Sequence, residues 1–407
     1  MNWIKSNYLA YIVIYVFISL INMYLLLYFP LYYYDIYKVN KNSLALSQLI
    51  PNSMVILSVI FGYLFDRVFK KKKIIISFAC ILLYCSFLLF ILFKNFLFWF
   101  GLFLSIGLLV RTIIQTGMSK LMFEMVNSNE KLKKNVVLIA NASASIGSFI
   151  PTILFSVIVS DLYSFTLWNT FFLVGWLISF PLLLSFLLIK ETNSIHKFFS
   201  NSTEETHLNG DTSEFGKNNI STLILMILIF ISSFLFWSSS LFGYPLSSWI
   251  TNKFGEMGFK WFTFFYFIYY ISNIIGFFLA KHFHKKDSEK KIIIIGMLIV
   301  AFLFLIFPVV DFPLFVILYT FDSLIYGIVC SNFIYLIIDI SRKGKYENLK
   351  YQIMQSSSVI ANVIFTPTGI ILSKFFSTGF LMTISAFLVL IGAVPLIIDN
   401  IWKFSLK

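Results

Sequence analysis

Long apolar runs, separated by short polar segments, dominate the chain. Each run lasts roughly 20 residues, the length that a helix needs to cross the hydrocarbon core of a bilayer. The runs are continuous and do not alternate between polar and apolar residues, which excludes an outer-membrane barrel. The pattern predicts twelve membrane-spanning helices, called spans 1 to 12 in chain order, at residues 8–29, 44–65, 74–93, 96–118, 136–159, 167–189, 219–242, 259–280, 292–310, 314–338, 351–374 and 379–399.

The longest polar gap separates span 6 from span 7. It contains Glu204 and Asp211 and has no sustained apolar pattern. We therefore expect an N-terminal six-helix bundle at 1–189, a cytoplasmic linker at 190–218 and a C-terminal six-helix bundle at 219–407.

Composition narrows the class of protein further. Of the 407 residues, 59% are hydrophobic and 12% are charged, whereas a soluble domain carries about 25% charged residues. An ordinary soluble enzyme is excluded, and so is a disordered chain. The three cysteines lie inside apolar runs, so no disulfide framework is expected.

The Lys and Arg residues are distributed unevenly between the two sides of the predicted topology. If the N-terminus is cytoplasmic, Arg111 lies within a span and 24 of the 31 Lys and Arg residues lie on the cytoplasmic side. The other six lie on the outer side: Lys38, Lys41, Lys94, Lys253, Lys260 and Lys374. Because cytoplasmic loops are enriched in Lys and Arg, we expect both termini in the cytoplasm, in a multi-pass protein of the plasma membrane. This asymmetry explains the net charge of +13 without a nucleic-acid partner.

Internal matches indicate a duplication. Segments at equivalent spans recur at spacings of 214 to 216 residues: Phe29-Pro30-Leu31 with Tyr244-Pro245-Leu246, Gly62 to Lys71 with Gly276 to Lys285, and Pro151-Thr152 with Pro367-Thr368. Three matches at nearly one spacing predict two parallel six-span halves, related by an axis along the membrane normal.

One of these segments resembles a known motif. Residues 62–71 read GYLFDRVFKK, which is similar to the G-x-x-x-D-R/K-x-G-R/K-R/K loop between spans 2 and 3 of the major facilitator superfamily. The second copy, GFFLAKHFHK at 276–285, has Ala280 in place of the acidic residue, and both copies have Phe at the second glycine. The resemblance covers essentially the whole chain. It implies an all-α membrane protein of two pseudo-symmetric six-helix bundles that transports a solute by alternating access.

The motif also predicts gating residues. Gly62 lets its helix approach a neighbour closely, and Asp66 lies where it can meet a helix N-terminus, whose dipole favours an anion. The resemblance implies that this loop, including Arg67, stabilises one state of alternating access. Glu124, near the cytoplasmic end of span 4, is the predicted partner of Arg67 or of the nearby Lys71.

The lysines of this loop have a second interpretation. Lys70 and Lys71 are included in the gating motif, although anchoring at the cytoplasmic surface alone would also explain them. For Lys72 and Lys73, anchoring is the favoured interpretation.

Two ionisable residues stand out inside spans, where a charge is costly and indicates function. Arg111 lies in span 4 with Gln115 one turn further on, and Asp322 lies in span 10 with Tyr319 and Tyr326 on the same face. The resemblance implies that spans 1, 4, 7 and 10 line a central cavity, which these residues would face from opposite halves. Their predicted depths differ by roughly 9 Å at 1.5 Å per residue, so a direct ion pair and separate roles both stay open.

We expect Asp322 to carry a coupling proton, as acidic residues do in transporters. Arg111 is expected to bind an anionic or hydroxylated substrate or to tune Asp322, and a static ion pair that fixes helix packing is the alternative for both. Further candidates for the cavity are Asn22, Trp237, Asn141 and Asn362, with interhelical hydrogen bonding or packing as their alternative role.

The predicted function is secondary active transport of a small organic solute, coupled to protons, by a monomer in the lipid bilayer. A multidrug efflux antiporter on the same fold is one alternative, and a non-transporting membrane sensor or scaffold is another. The sequence has no constellation typical of a catalytic, cofactor or metal site, so neither an enzyme nor a bound cofactor or metal is expected.

Overall fold

The computed structural model describes residues 2–35, 51, 53–128, 132–161, 163–190, 212–243, 245–254, 258–283, 288–343 and 345–405. These residues are almost entirely helical, and none of them forms a β-strand. Within this part of the chain, ten helices are long and apolar enough to cross a membrane. Of the other two predicted spans, span 2 falls partly outside the described residues, and the helix of span 9 begins with three charged residues.

Four of the spans contain a break or a change in helix type. The elements of the N-terminal half are span 1 (Asn2–Met23, π-helical Tyr24–Tyr28 and Phe29–Asp35), span 2 (3-10 helix Met54–Leu57 and Ser58–Arg67), span 3 (Lys72–Phe93), span 4 (Leu97–Ser128), span 5 (Leu132–Ile158) and span 6 (Phe165–Ile178, 3-10 helix Phe180–Leu184 and Ser185–Leu188). The elements of the C-terminal half are span 7 (Thr212–Phe236, 3-10 helix Trp237–Ser239 and Ser240–Gly243), a helix at Pro245–Phe254, span 8 (Gly258–Phe283), span 9 (Glu289–Ile306), span 10 (Phe312–Ser341), span 11 (Glu347–Leu372) and span 12 (Thr378–Ser405).

The predicted linker is described only at its ends. Residues 191–211 lie outside the described residues, and the helix of span 7 begins at Thr212, inside the predicted linker. At the other end, the Asn7 side chain donates to the carbonyl oxygen of Lys190 (3.2 Å) and accepts from its backbone N–H (3.1 Å). These bonds tie the start of span 1 to the end of span 6.

The two halves have the same internal packing. Span 1 packs on span 5, span 2 on span 4, and span 3 on spans 4 and 6; in the second half span 7 packs on span 11, span 8 on span 10, and span 9 on spans 10 and 12. The halves meet where span 2 packs on span 11 and span 5 on span 8. Exchanging the halves converts one of these pairs into the other, as the predicted two-fold relation requires.

Glycine residues lie where two helix backbones come closest to each other. A Cβ atom on Gly147 of span 5 would overlap the carbonyl oxygen of Val16 in span 1, and a Cβ on Gly369 of span 11 would overlap that of Leu241 at span 7. Small residues at such contacts let helix backbones pack closely inside a membrane. Each half therefore joins its first and fifth helices at a glycine.

The outward faces of the bundle are strongly apolar. Phe98, Val157 and Ile317 expose 76%, 74% and 63% of their surface, and many other large apolar side chains are exposed with them. A surface of this kind is matched by lipid and not by water. The chain therefore has the build of a multi-pass integral membrane protein.

Candidate functional site

Lys- and Arg-rich connections gather at one end of the bundle, called here the basic end, where Asp66 joins the two halves. Its Oδ1 atom accepts a hydrogen bond from Lys120 of span 4 at 2.7 Å, and its Oδ2 atom accepts from the backbone N–H of Leu349 at 3.0 Å. Leu349 lies in the first turn of span 11, where backbone N–H groups have no partner inside the helix. The Asp66 side chain, 5% exposed, thus lies against a helix N-terminus, whereas its partner Lys120 was not predicted.

Gly62 lies at the same contact between spans 2 and 11. A Cβ atom there would lie 3.1 Å from the Cα atom of Leu349 and 3.1 Å from the Cγ atom of Gln352. A side chain at these distances would push the two helices apart by a few tenths of an ångström. The close approach brings Asp66 within reach of span 11.

Arg67 also contacts the other half of the molecule. Its Nε atom donates to the Tyr346 hydroxyl at 3.1 Å, and its guanidinium lies 4.7 Å from the centre of the Tyr346 ring. Tyr346 has a left-handed backbone (φ 63°), which is costly for a bulky residue, and its ring stacks on Tyr63. Residues of span 2 thus hold the turn before span 11.

The predicted partner of Glu124 was wrong. Glu124 forms its ion pair with Lys72, not with Arg67 or Lys71. Lys72 is the first residue of span 3, which packs along span 4, so its side chain faces Glu124. Arg67 ends span 2 and reaches Tyr346 instead. Lys70 and Lys71 are exposed in the turn between spans 2 and 3, and their gating role stays a prediction.

A second set of contacts joins the halves at the basic end. Lys133, at the start of span 5, binds both carboxylate oxygens of Asp339 near the end of span 10, at 2.7 and 2.8 Å. The Asn127 amide donates to Glu347 at 3.0 and 3.1 Å and accepts from Arg342 at 3.0 Å. None of these five residues was predicted from the sequence. Asp339 lies 215 residues after Glu124, which is the spacing of the duplicated segments. The duplication therefore pointed to Asp339 as the counterpart of Glu124.

Near the middle of span 4, Arg111 is held by a neutral partner. Its Nη1 atom donates to the Asn22 Oδ1 atom of span 1 at 2.8 Å, while its Nε atom is shut off from solvent and bonds to nothing among the described residues. Tyr15 of span 1 lies close enough to interact electrostatically with both Arg111 and Tyr351 of span 11. Arg111 therefore lies where span 1 meets the other half.

Asp322 lies among tyrosines in the other half of the molecule. Its side chain is 8% exposed, and its Oδ1 atom has no hydrogen-bond partner among the described residues. It interacts electrostatically with Tyr269, Tyr319 and Tyr326. No described contact joins Asp322 to Arg111, so the direct ion pair left open by the sequence is not formed in this structure.

The aromatic candidates pack around Asp322. Tyr326 lies edge-on to Trp237, with ring centroids 5.5 Å apart, and stacks on Phe236 at 5.0 Å. The Tyr319 ring packs on Phe265 at 5.2 Å. Tyr319 and Trp237 are half-buried and Tyr326 is buried. Trp237 lies in the 3-10 break of span 7, and irregular turns inside helices often mark functional positions.

The polar candidates make contacts between helices. Asn141 of span 5 donates to the Ser331 hydroxyl of span 10 at 3.4 Å, which joins the halves. Asn362 accepts from Ser240 within the C-terminal half. Gln115 is half-buried, one turn beyond Arg111. For Asn141 and Asn362, these bonds agree with the interhelical role that the sequence left open.

No protein-family model matches the sequence, and neither does the sequence of any curated protein. Solved structures do match. The human organic anion transporter MFSD10 (TETRAN) is 13% identical, with a TM-score of 0.72 over 96% of this chain and 99% of that one. The proton:xylose symporter XylE of the major facilitator superfamily, bound to 6-bromo-6-deoxy-D-glucose, is 14% identical, with a TM-score of 0.71 over 99% and 96%.

The nucleoside transporter NupG, in the form of a point mutant, is 12% identical, with a TM-score of 0.63 over 98% of this chain and 99% of that one. Matches of this length cover both six-helix bundles and the contacts between them. The chain therefore has the fold of the major facilitator superfamily, as its loop motif predicts.

Proposed function

We propose that this protein is a secondary active transporter, which moves a small organic solute by alternating access and couples that movement to protons. The observation that carries the proposal is the pair of uncompensated ionisable groups, one in each half. The Arg111 Nε atom and the Asp322 Oδ1 atom are both shut off from solvent and have no partner among the described residues. Groups of this kind inside a bundle are costly, and they mark substrate and ion pathways.

The contacts at the basic end support a state closed on that side. Asp66 and Lys133 each bind the opposite half there, through Leu349 and Asp339. In alternating access, two bundles rock about a site near the midplane. Breaking the contacts at the basic end while the opposite end closes would present the same site to the other side of the membrane.

Each central residue has a role in this proposal. Asp322 takes up and releases the coupling proton, Arg111 binds the solute, and the surrounding tyrosines contact its apolar part. In this proposal the basic end and both termini lie in the cytoplasm, which the Lys and Arg distribution supports, and the protein is a monomer of the plasma membrane.

The titles of the similar structures name organic anions, a sugar and nucleosides. One fold therefore supports very different substrates, and the substrate of this chain depends on its own central side chains.

The test uses purified protein in liposomes, with internal pH recorded while pools of organic anions, sugars, amino acids, nucleosides and lipophilic drugs are presented. Asp322→Asn is compared with wild type and with the control Asp311→Asn. Asp311 is exposed and accepts a hydrogen bond from Leu314 at the start of span 10, a capping role that Asn also fills.

We expect one pool to move protons through wild type and the control but not through Asp322→Asn. Unchanged proton movement in Asp322→Asn would make that residue structural. If neither proton movement nor tracer uptake occurs with any pool, transport is rejected in favour of the sensor interpretation.

A further inference from the structure

The guanidinium of Arg111 offers one free edge for a ligand. Because Nη1 is bonded to Asn22, the Nε and Nη2 atoms remain as the edge that presents two parallel N–H donors. That edge matches the two oxygens of a carboxylate. Its Nε atom has no hydrogen-bond partner among the described residues and is shut off from solvent in this state, so its N–H group is unsatisfied here and a ligand would reach it only in a state in which the surrounding helices move apart.

No anion contacts Arg111 among the described residues. Its hydrogen-bond partner, the Asn22 amide, is neutral, and Asp322 lies among tyrosines of the other half. A cation inside a helix bundle with no anion in contact costs more free energy than a paired one. An anionic ligand would remove this cost, whereas a neutral or cationic ligand would leave it in place or increase it.

From these observations we propose that the substrate is an organic monoanion, whose carboxylate binds the Nε and Nη2 edge of Arg111 and which crosses together with one proton. This inference rests on the proposed transport function and names its substrate class. The half-buried ring of Tyr15, stacked on Tyr11 with centroids 5.4 Å apart, supplies an apolar surface beside the guanidinium for the rest of the anion.

Charge balance explains why the anion and the proton would move together. In the empty site, the positive charge of Arg111 and the negative charge of the Asp322 carboxylate sum to zero. With the anion on Arg111 and the proton on Asp322, the site is again neutral. With one ligand alone it carries a net charge of one unit in a region of low dielectric, where a net charge is costly. The two neutral forms therefore reorient most readily, which couples the two fluxes.

The first test measures binding to the purified full-length protein in detergent by calorimetry. The probes are monocarboxylates of different body, each paired with its neutral primary amide: hippurate with hippuramide, gluconate with gluconamide, and indole-3-acetate with indole-3-acetamide. We expect at least one acid to bind at least tenfold more tightly than its amide. If no acid binds more tightly than its own amide, the proposal is overturned.

Variants locate the anion. Arg111→Gln should weaken binding of the preferred acid at least tenfold, and Arg111→Lys should weaken it less, because the charge remains while the fork is lost. Asn22→Asp keeps Arg111 and nearly the same side-chain shape at position 22 but supplies a competing carboxylate. It should therefore weaken binding of the preferred acid as much as Arg111→Gln does. Lys374→Gln, which removes an exposed cation at the opposite end, is the control and should bind like wild type.

A purely structural Arg111 predicts a different result, in which Asn22→Asp leaves binding of the acid unchanged. That result would overturn the assignment even if Arg111→Gln failed to fold.

Transport assays separate the proposal of an anionic substrate from the broader proposal of secondary active transport. In proteoliposomes, uptake of the preferred acid should follow an imposed pH gradient and should not respond to membrane potential. Carriage of a neutral or cationic solute, with Arg111→Gln as active as wild type, would reject the anion while leaving transport in place. Selective binding of an acid without flux of any solute would retain the anion site and reject transport.

Discussion

The two seams that join the halves at the basic end occupy related places in the duplication but use different chemistry. At the first seam, Asp66 of span 2 accepts from the N-terminal turn of span 11 through Leu349. At the matching position of span 8 stands Ala280, which has no carboxylate. At the second seam, the start of span 5 carries a cation of its own, Lys133, which binds Asp339 of span 10.

The difference shows how two related contacts between the halves can use different chemistry. The start of a helix carries partial positive charge and unpaired N–H groups, which an anion on a neighbouring helix can satisfy. Span 11 receives that anion from the other half through Asp66. At the position of span 8 that would supply the equivalent anion to span 5 stands Ala280, and an ion pair between Lys133 and Asp339 joins the halves there instead.

The glycines of the two motif copies differ in the same way. Gly62 faces span 11 of the opposite half, whereas Gly276 faces Leu324 and Gly327 of span 10 in its own half. The first copy therefore acts between the bundles and the second within one bundle. Sequence equivalence alone does not separate a gating contact from a packing contact.

The largest effect on this comparison is expected from Asp66→Ala. The variant removes both the bond to Leu349 and the ion pair with Lys120. The Asp66 side chain is 5% exposed and the Lys120 side chain 18%. Of these two contacts, only the bond to Leu349 joins the two halves, and loss of a hydrogen bond to a charged group should disfavour the state closed at the basic end by about 2 kcal/mol. Spin labels at Lys70 and Lys345, both exposed, in a background without native cysteines, should report a new population at longer distance.

Asp161→Asn provides the control for Asp66, because Asp161 is exposed at the opposite end of the bundle. Its distance distribution should match that of wild type. An unchanged distribution in Asp66→Ala would mean that the Lys133 seam alone holds this end closed.

Paired alanine substitutions at the two motif glycines should separate gating from packing. A Cβ on Gly276 would overlap the Leu324 carbonyl oxygen, so Gly276→Ala should lower the free energy of unfolding by about 2 kcal/mol through overpacking. Gly62→Ala should alter the label distances while changing the thermal unfolding midpoint less, because its contacts, at 3.1 Å, lie between the halves. Equal loss of thermal stability in both variants would contradict the distinction.

The smallest effect is expected at the second seam. The Asp339 side chain is 38% exposed and the Lys133 side chain 8%. Because solvent screens such a pair, we expect an interaction free energy of about 0.5 kcal/mol between the two side chains. A double-mutant cycle with Lys133→Ala and Asp339→Ala, read from the same label distances, should return that coupling. A coupling as large as the effect of Asp66→Ala would show that both seams contribute equally.

Several features of this protein were determined by the sequence alone. The length of each apolar run predicted the spans, because a helix must satisfy its backbone hydrogen bonds locally while it crosses lipid. The repeated segments predicted two similar halves, and the motif at 62–71 predicted the fold that the structural matches confirm. The placement of Asp66 beside a helix N-terminus also followed from its position at the end of a span.

Only the tertiary structure decided which side chains meet. Lys71 and Lys72 are neighbours in the chain, yet Lys72 faces Glu124 because it begins the helix that packs on span 4. Tyr346 contacts Arg67 because a left-handed turn directs it there. Partners that lie hundreds of residues apart depend on how the helices are rotated and offset against one another, and a hydrophobic pattern read along one helix carries no information on the rotation of its neighbour.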